Sequence, residues 1–173
     1  TYFKIINIIF DNSKDLEKSF LEHYHTVRIN PIRVSADEFS YPIHVFIRYQ
    51  IEKEIFKNKI KFKDIKDLWN KKYLDHLEID LSSDSEGVLQ DIHWYEGIFG
   101  YFPTYALGAM IASQIKYNCP LFDIFLKNPD EENIKQLIIW LNNNIHQKAS
   151  LYSSDEMLQS ISGEKLNSKY YLE

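Results

Sequence analysis

A row of ionisable side chains follows one face of a segment that is otherwise apolar. Steps of four, three and four residues separate Asp37, Tyr41, His44 and Arg48. On a helix this spacing places all four on one side. An unpaired buried charge is costly, so such a row needs partners. For His44 and Arg48, a salt-bridged core helix explains the pattern as well as a ligand site does.

Arg33 comes just before this predicted helix. Its guanidinium is planar and carries five N–H donors in a fixed fork, which suits bidentate binding of a carboxylate. We therefore expect Arg33 to bind an acidic group near the start of the helix.

A second segment concentrates four side chains with useful chemistry within five positions. These are Gln90, Asp91, His93 and Trp94. Together they supply hydrogen-bond donors, acceptors and a titratable ring, a density that is unusual in a plain core. Ser83 and Glu86 form a capping-box pattern that predicts a short helix here, which Gly97 can end.

Two tyrosines follow a glycine-containing stretch that runs from Gly97 to Pro103. Its glycines permit a turn that other residues resist, so Tyr101 and Tyr105 are expected to project from a constrained loop. Taken singly, each tyrosine is more often an aromatic core residue than a catalytic hydroxyl.

Helices must position these groups, because a helical period dominates the chain and no strand-like alternation of useful length occurs. We expect an all-α fold of long antiparallel helices with short polar connections. The predicted helices begin at Ser13, run from Ser35 to about Phe56, cover Ile65 to His76, run from Ser83 to Gly97, extend through Leu107 towards Cys119, begin at Asn128 as N-cap, run from Ser153 to Gly163, and begin near Asn167.

Composition excludes several classes of protein. The net charge is −5 and no Lys/Arg cluster is interleaved with aromatic residues, so we expect no nucleic-acid partner. Cys119 is the single cysteine, which excludes an internal disulfide and fits a cytoplasmic protein. The apolar runs are far shorter than the roughly 20 residues that span a bilayer, so we expect no membrane partner.

Two motifs resemble those of a known family. Ile32 to Glu38 resembles the I-R-x-x-A-D-E motif, and Gly87 to Trp94 resembles the G-x-x-Q-D-x-H-W motif, of the Taq-type metallocarboxypeptidases, metallopeptidase family thirty-two. Both motifs are complete and stand in order at the family's spacing. The resemblance covers the chain from about Arg28 onward, including Phe99 to Pro103 and Gly163 to Asn167.

The resemblance implies a helical zincin-type peptidase that removes single residues from peptides with a free C-terminus, as a cytoplasmic homodimer. It implies that Arg33 binds the terminal carboxylate of the substrate. Tyr105, or else Tyr101, would donate a hydrogen bond to the developing oxyanion or to the same carboxylate. His93 is then a further catalytic candidate, while Gln90 and Asp91 join the substrate-binding group, with Asp91 orienting His93 or Arg33.

The family's zinc-binding motifs are absent from the 173 residues. Neither H-E-x-x-H nor H-E-S-x-Q occurs, and none of the six histidines lies in such a pattern. We expect no metal ligand in this chain. Zn²⁺, or another divalent metal such as Co²⁺, would be bound by the missing N-terminal half of the same protein. Residues 1–173 would be the C-terminal portion, inactive on its own.

The sequence leaves two other functions open. One is a non-catalytic helical module that binds peptides or a partner protein after losing its metal site. The other is a related oligopeptidase that cuts internally, for which a dedicated carboxylate-binding arginine is not expected.

Overall fold

The computed structural model describes residues 18–20, 22–23, 26–57 and 59–172, and the regular structure within those ranges is helical. The chain divides into two units, one of residues 22–106 and one of residues 1–21 with 107–173. The all-α prediction is confirmed for the described residues, which contain no strand. The helix predicted from Ser13 lies largely outside them.

The unit of residues 22–106 is built on two long helices. After a short 3₁₀ turn at Arg33–Ser35 come α1 (Tyr41–Phe56), a 3₁₀ turn at Phe62–Asp64 and α2 (Ile65–Leu77). His44, near the start of α1, meets Tyr73, near the end of α2, as expected for antiparallel neighbours. The core that joins them consists of Ile47, Ile51, Ile65, Trp69, Tyr73 and Leu77.

Helix α1 begins six residues later than predicted. The Asp37 carboxylate accepts hydrogen bonds from the backbone N–H groups of Phe39 and Ser40, both at 2.9 Å, and from that of Arg28. These bonds hold residues 37–40 in a turn, because a short acidic side chain competes with the helix for local N–H groups. Asp37 is therefore outside the helix, and of the four residues in the predicted row only Tyr41, His44 and Arg48 lie within it.

The short helix predicted from Ser83 to Gly97 is wrong, because this segment is a series of turns. The hydrogen bond from Glu86 N–H to Ser83 Oγ exists at 3.4 Å, yet Glu86 binds Ser82 with its carboxylate instead of closing the capping box. Gly97 and Gly100 have φ angles of 71° and 77°, which glycine adopts without strain. The predicted turn before Tyr101 is thus confirmed.

Helix α3 (Phe102–Asn118) contributes its first turn to the same unit. The other unit holds the rest of α3, which ends just before Cys119 and Pro120 as predicted, with α4 (Phe122–Lys127), α5 (Glu131–Asn144), a 3₁₀ turn at His146–Lys148, α6 (Ser154–Ser162) and α7 (Lys169–Leu172).

Two helix starts in that unit show how local chemistry sets the boundary. The N-cap of α5 is Asp130 and not the predicted Asn128, because the Asp130 carboxylate accepts the N–H of Asn133 at 2.8 Å. The capping box of Ser153 and Glu156 at α6 is confirmed, and Gly163 ends α6 with a φ of 77°.

A buried glutamine ties the end of this unit together. Gln114 of α3 donates to Ser162 Oγ at 2.7 Å and to the Lys165 carbonyl at 3.1 Å, and its oxygen accepts the Asn167 N–H at 2.9 Å. Its side chain is fully buried.

Within the described ranges, no helix has both the length and the apolar character needed to cross a membrane.

Candidate functional site

Arg33 is held by partners that lie 57 and 58 residues away in the sequence. Its backbone N–H donates to Gln90 Oε1 at 2.8 Å, and its Nε donates to Asp91 Oδ1 at 2.9 Å. Nη2 lies 2.8 Å from the same oxygen, and Nη1 donates to the Tyr41 hydroxyl at 2.9 Å. Among the described residues these contacts occupy at most three of the five N–H donors of the guanidinium, so at least two have no acceptor there.

Arg48 binds the other oxygen of the same carboxylate. Its Nε donates to Asp91 Oδ2 at 2.6 Å, while Nη1 and Nη2 donate at 2.8 Å to the His44 carbonyl and to Gln90 Oε1. The guanidinium lies 4.6 Å from the centre of the Trp69 ring. The side chain is completely buried, with 0% exposure.

This pairing leaves a surplus of positive charge. Two guanidinium groups share one carboxylate, and the described part of the chain places no second carboxylate within 4.0 Å of either. Arg33 and Asp91 each expose only 8% of their side chains. Burial opposes the charge on Arg33, but hydrogen bonding to Asp91 and its negative charge outweigh that effect, so the pKa of Arg33 is raised. Arg33, Arg48 and Asp91 together therefore carry a net charge of about +1 in a largely buried place. A further buried carboxylate, that of Glu52 in α1, accepts the Trp94 Nε1–H at 2.8 Å and makes no ion pair with either arginine.

Gln90 fastens both arginines to the rest of the unit. Its oxygen accepts from Arg33 N and Arg48 Nη2, and its amide nitrogen lies within hydrogen-bond distance of the carbonyls of Pro31 and Glu86. That nitrogen also lies 3.2 Å from the Tyr73 hydroxyl. Both ends of the Gln90 side chain are thus satisfied by protein groups.

The Tyr73 hydroxyl contacts several polar side chains of the site, which the sequence did not indicate. It lies 3.0 Å from His44 Nδ1 and 3.3 Å from Arg48 Nη1. Burial, followed by the nearby charge of Arg48, lowers the pKa of His44 to about 4, and burial raises the pKa of Tyr73. Both groups are neutral near pH 7. The available signal was a tyrosine within an apolar stripe, whose hydroxyl needs a partner when buried.

His93 and Tyr105 form a second polar pair beside the arginines. His93 Nε2 lies 3.0 Å from the Tyr105 hydroxyl. Burial is the main cause that lowers the pKa of His93; the negative charges of Asp91 and Glu52 oppose it, and the positive charges of Arg33 and Arg48 add to it. His93 is therefore largely neutral at pH 7 and carries one ring N–H.

Aromatic rings surround these groups. The Arg33 guanidinium lies 5.2 Å from the centre of the Tyr105 ring, 5.6 Å from that of Phe102 and 5.8 Å from that of Tyr41. At such distances a ring face attracts a cation. Tyr101 packs 5.4 Å from the Tyr105 ring and is 45% exposed. The structure thus brings all six predicted site residues into one neighbourhood.

The described residues do not fit a metal ion. No group of three or more His, Cys, Asp or Glu side chains within these parts of the chain could hold one. The N–H groups of Arg33 and the hydroxyl of Tyr105 can bind and orient an anionic group and donate hydrogen bonds to it.

Comparison with known proteins identifies the class. The model of the carboxypeptidase Taq (M32) metallopeptidase family matches residues 1–173, and the chain belongs to this family. It is 44% identical over 146 residues to carboxypeptidase 1 of Bacillus subtilis (strain 168), covering 82% of this chain and 28% of that protein. It is 33% identical over 170 residues to thermostable carboxypeptidase 1 of Pyrococcus furiosus, covering 96% and 33%.

Solved structures agree with this assignment. Trypanosoma cruzi metallocarboxypeptidase 1 superposes with a TM-score of 0.85 at 32% identity, over 98% of this chain and 36% of that one. The M32 carboxypeptidase from Deinococcus radiodurans R1 gives a TM-score of 0.82 at 28% identity, over 99% and 35%. The chain spans about a third of the length of the curated relatives it matches. The family predicted from the two motifs is confirmed.

Proposed function

We propose that this chain is the C-terminal, substrate-binding portion of a metal-dependent carboxypeptidase that hydrolyses C-terminal residues from peptides. One observation carries the proposal: Arg33 sits in a cluster with surplus positive charge, and at least two of its N–H donors have no acceptor in the part of the chain that the structure describes. Membership of the M32 family, and the naming of its relatives as carboxypeptidases, support the same reaction.

A terminal carboxylate is the acceptor that this cluster best accommodates. A buried surplus charge is costly until an anion neutralises it, and the two free N–H groups of a guanidinium match the two oxygens of a carboxylate. An internal peptide bond offers a neutral carbonyl, which would leave the surplus charge in place. The cluster therefore favours cleavage at a free C-terminus over internal cleavage.

Tyr105 is proposed to donate a hydrogen bond to the substrate, in addition to those from Arg33. His93 Nδ1 is buried and has no hydrogen-bond partner among the described residues, and a buried N–H without a partner is rarer than a buried lone pair. The single proton of neutral His93 is then placed on Nε2, which donates to the Tyr105 oxygen. This leaves the Tyr105 O–H free to donate to an oxyanion or carboxylate, with Tyr101 as the alternative donor.

The metal belongs to a part of the protein outside these residues. We propose that Zn²⁺, or another divalent metal such as Co²⁺, is bound by an N-terminal portion that this chain does not include. Residues 1–173 would then be inactive alone. We further propose a cytoplasmic homodimer, in keeping with the buried free thiol of Cys119. Sedimentation of the complete protein as a monomer would remove the homodimer from the proposal.

The proposal is tested with the complete protein that contains this chain, loaded with metal. N-blocked peptides with a free or an amidated C-terminus are compared by kcat/KM. We expect turnover of the free acids and little turnover of the amides. Equal turnover of both would indicate an oligopeptidase. Turnover of neither would favour the non-catalytic binding module.

The role of Arg33 is tested in the same assay. Arg33→Met should raise KM for the free acid by about 100-fold, because hydrogen bonds to a charged group contribute about 1.5–3 kcal/mol. Arg33→Lys keeps the positive charge but loses the planar arrangement of N–H donors. Its KM for the free acid should lie between those of the wild type and Arg33→Met. An unchanged ratio of free acid to amide in Arg33→Met would contradict the assignment.

A further inference from the structure

Arg48 is too deeply buried to contact a substrate, yet it is directly linked to the group that holds Arg33. Its side chain has 0% exposure, and it reaches Asp91 Oδ2 at 2.6 Å. Asp91 Oδ1 lies 2.9 Å from Arg33 Nε and 2.8 Å from Arg33 Nη2. Arg48 can therefore act on a ligand only indirectly, through Asp91, through Gln90 and through its charge.

Three contacts that do not involve the Arg33 side chain fix the position of Arg48. Its Nη1 donates to the His44 carbonyl one turn earlier in α1, its Nη2 donates to Gln90, and the guanidinium packs over the Trp69 ring. Because Arg48 is held in place, its hydrogen bond to Asp91 Oδ2 also holds the carboxylate in place. Asp91 therefore cannot turn both oxygens towards Arg33.

The charge of Arg48 affects how strongly the cluster attracts a substrate carboxylate. A lone Arg33–Asp91 pair would be neutral and would offer little attraction to a substrate carboxylate. With Arg48 present, Asp91 divides its negative charge between two cations, and the cluster is positive overall. The buried setting reduces screening by solvent, so the added charge acts over a longer distance than it would at the surface.

We propose that Arg48 is a positioning residue that reserves Arg33 for the substrate, by binding one oxygen of Asp91 and supplying the surplus positive charge of the cluster. This inference rests on the proposed function of Arg33. It assigns a role to a side chain for which the sequence alone allowed a purely structural one.

The test is the preference of the complete, metal-loaded protein for peptides with a free over an amidated C-terminus, taken as the ratio of their kcat/KM values. This ratio does not depend on the folded fraction, so a loss of stability alone leaves it unchanged. Arg48→Met should lower the ratio roughly tenfold, mainly through KM for the free acid. Arg48→Gln, also neutral but able to hydrogen-bond Asp91, provides a second variant if the first does not fold.

Two controls separate a positioning role from a structural one. Arg48→Lys restores the charge and should recover most of the preference. Ile51→Val truncates a fully buried neighbour in the same helix. It should lower stability without changing the ratio.

The outcomes distinguish the inference from the function on which it rests. In an Arg33→Met background, Arg48→Met should change the ratio less than it does in the wild type, because the part of its action that passes through Arg33 is gone. If Arg33→Met lowers the ratio but neither neutral Arg48 variant does, the inference is wrong and the proposed function stands. If Arg33→Met itself leaves the ratio unchanged, the proposed function fails first.

Discussion

The residues of this site fall into two groups. Some have their hydrogen-bonding groups satisfied by other protein groups, and others have donors that a ligand could accept. Gln90 and Arg48 have nearly all their hydrogen-bonding groups satisfied by protein partners. Arg33 keeps free donors, and the Tyr105 hydroxyl has His93 as its hydrogen-bond partner. Arg33 and Tyr105 are thus the residues whose donors we assign to binding and catalysis.

Replacing Tyr105 by Phe removes a hydroxyl while keeping the ring that packs near Arg33. If this hydroxyl stabilises developing charge, kcat for free-acid peptides should fall by about 100-fold with little change in KM, as for loss of an oxyanion-hole donor. Tyr101→Phe is the matched control, since its ring lies beside Tyr105, and its effect should be small. A larger loss in Tyr101→Phe would exchange the two assignments.

His44 should make stability depend on pH. Its pKa in the folded protein is about 4 against an ordinary 6.5, so the unfolded chain binds a proton between these values while the folded protein does not. The free energy of unfolding should therefore fall as the pH drops from about 6.5 to about 4, by about 3 kcal/mol in total. Urea unfolding across this range measures it. His44→Asn, which can still meet the Tyr73 hydroxyl, should flatten the slope, and a slope that persists unchanged would assign it to other groups.

The sequence could predict which residues meet, but not how they share their bonds. Arg33, Asp91 and His93 were recognisable from type and motif spacing. The division of one carboxylate between Arg33 and Arg48, and the contribution of Tyr73, depend on side-chain positions in four separate segments. Periodicity along one segment carries no information about such contacts.

At the scale of elements, helix ends were predictable where the cap competes with nothing else. Ser153 and Glu156 are exposed, and within the described residues their side chains bind only each other's groups, so their pattern gave the correct start of α6. At residues 83–97 the same pattern failed. There, Gln90 and Asp91 bind groups more than 40 residues away, and those tertiary bonds override the local preference for a helix.

The α6 cap should make a measurable contribution to stability. Ser153→Ala removes the oxygen that accepts the Glu156 N–H and should lower the free energy of unfolding by about 1 kcal/mol. Ser154→Ala, one residue later and also exposed, is the control and should change stability little. Urea unfolding of both variants provides the comparison, and equal effects would show that the cap contributes nothing specific.

At the scale of the whole molecule, the most consequential contacts are those that join distant parts of the unit of residues 22–106. The Asp91 carboxylate connects the turn segment to Arg33 before α1 and to Arg48 within it. The Tyr73 hydroxyl adds α2 through His44 and Gln90. One polar cluster therefore links four segments through directional hydrogen bonds, which the apolar core does not provide. Loss of this cluster should lower the stability of the whole unit.

Asp91→Asn tests that statement, because it removes one charge and almost no volume. Two buried guanidinium groups would then face each other without an anion, and the free energy of unfolding should fall by about 3–5 kcal/mol. Asp84→Asn makes the same chemical change in the ion pair with Lys66, whose side chains are 46% and 54% exposed. That variant should lose about 1 kcal/mol or less. Similar losses of unfolding free energy in the two variants would mean that the surplus charge is already solvated in the folded protein. Arg33 would then gain little from binding an anion.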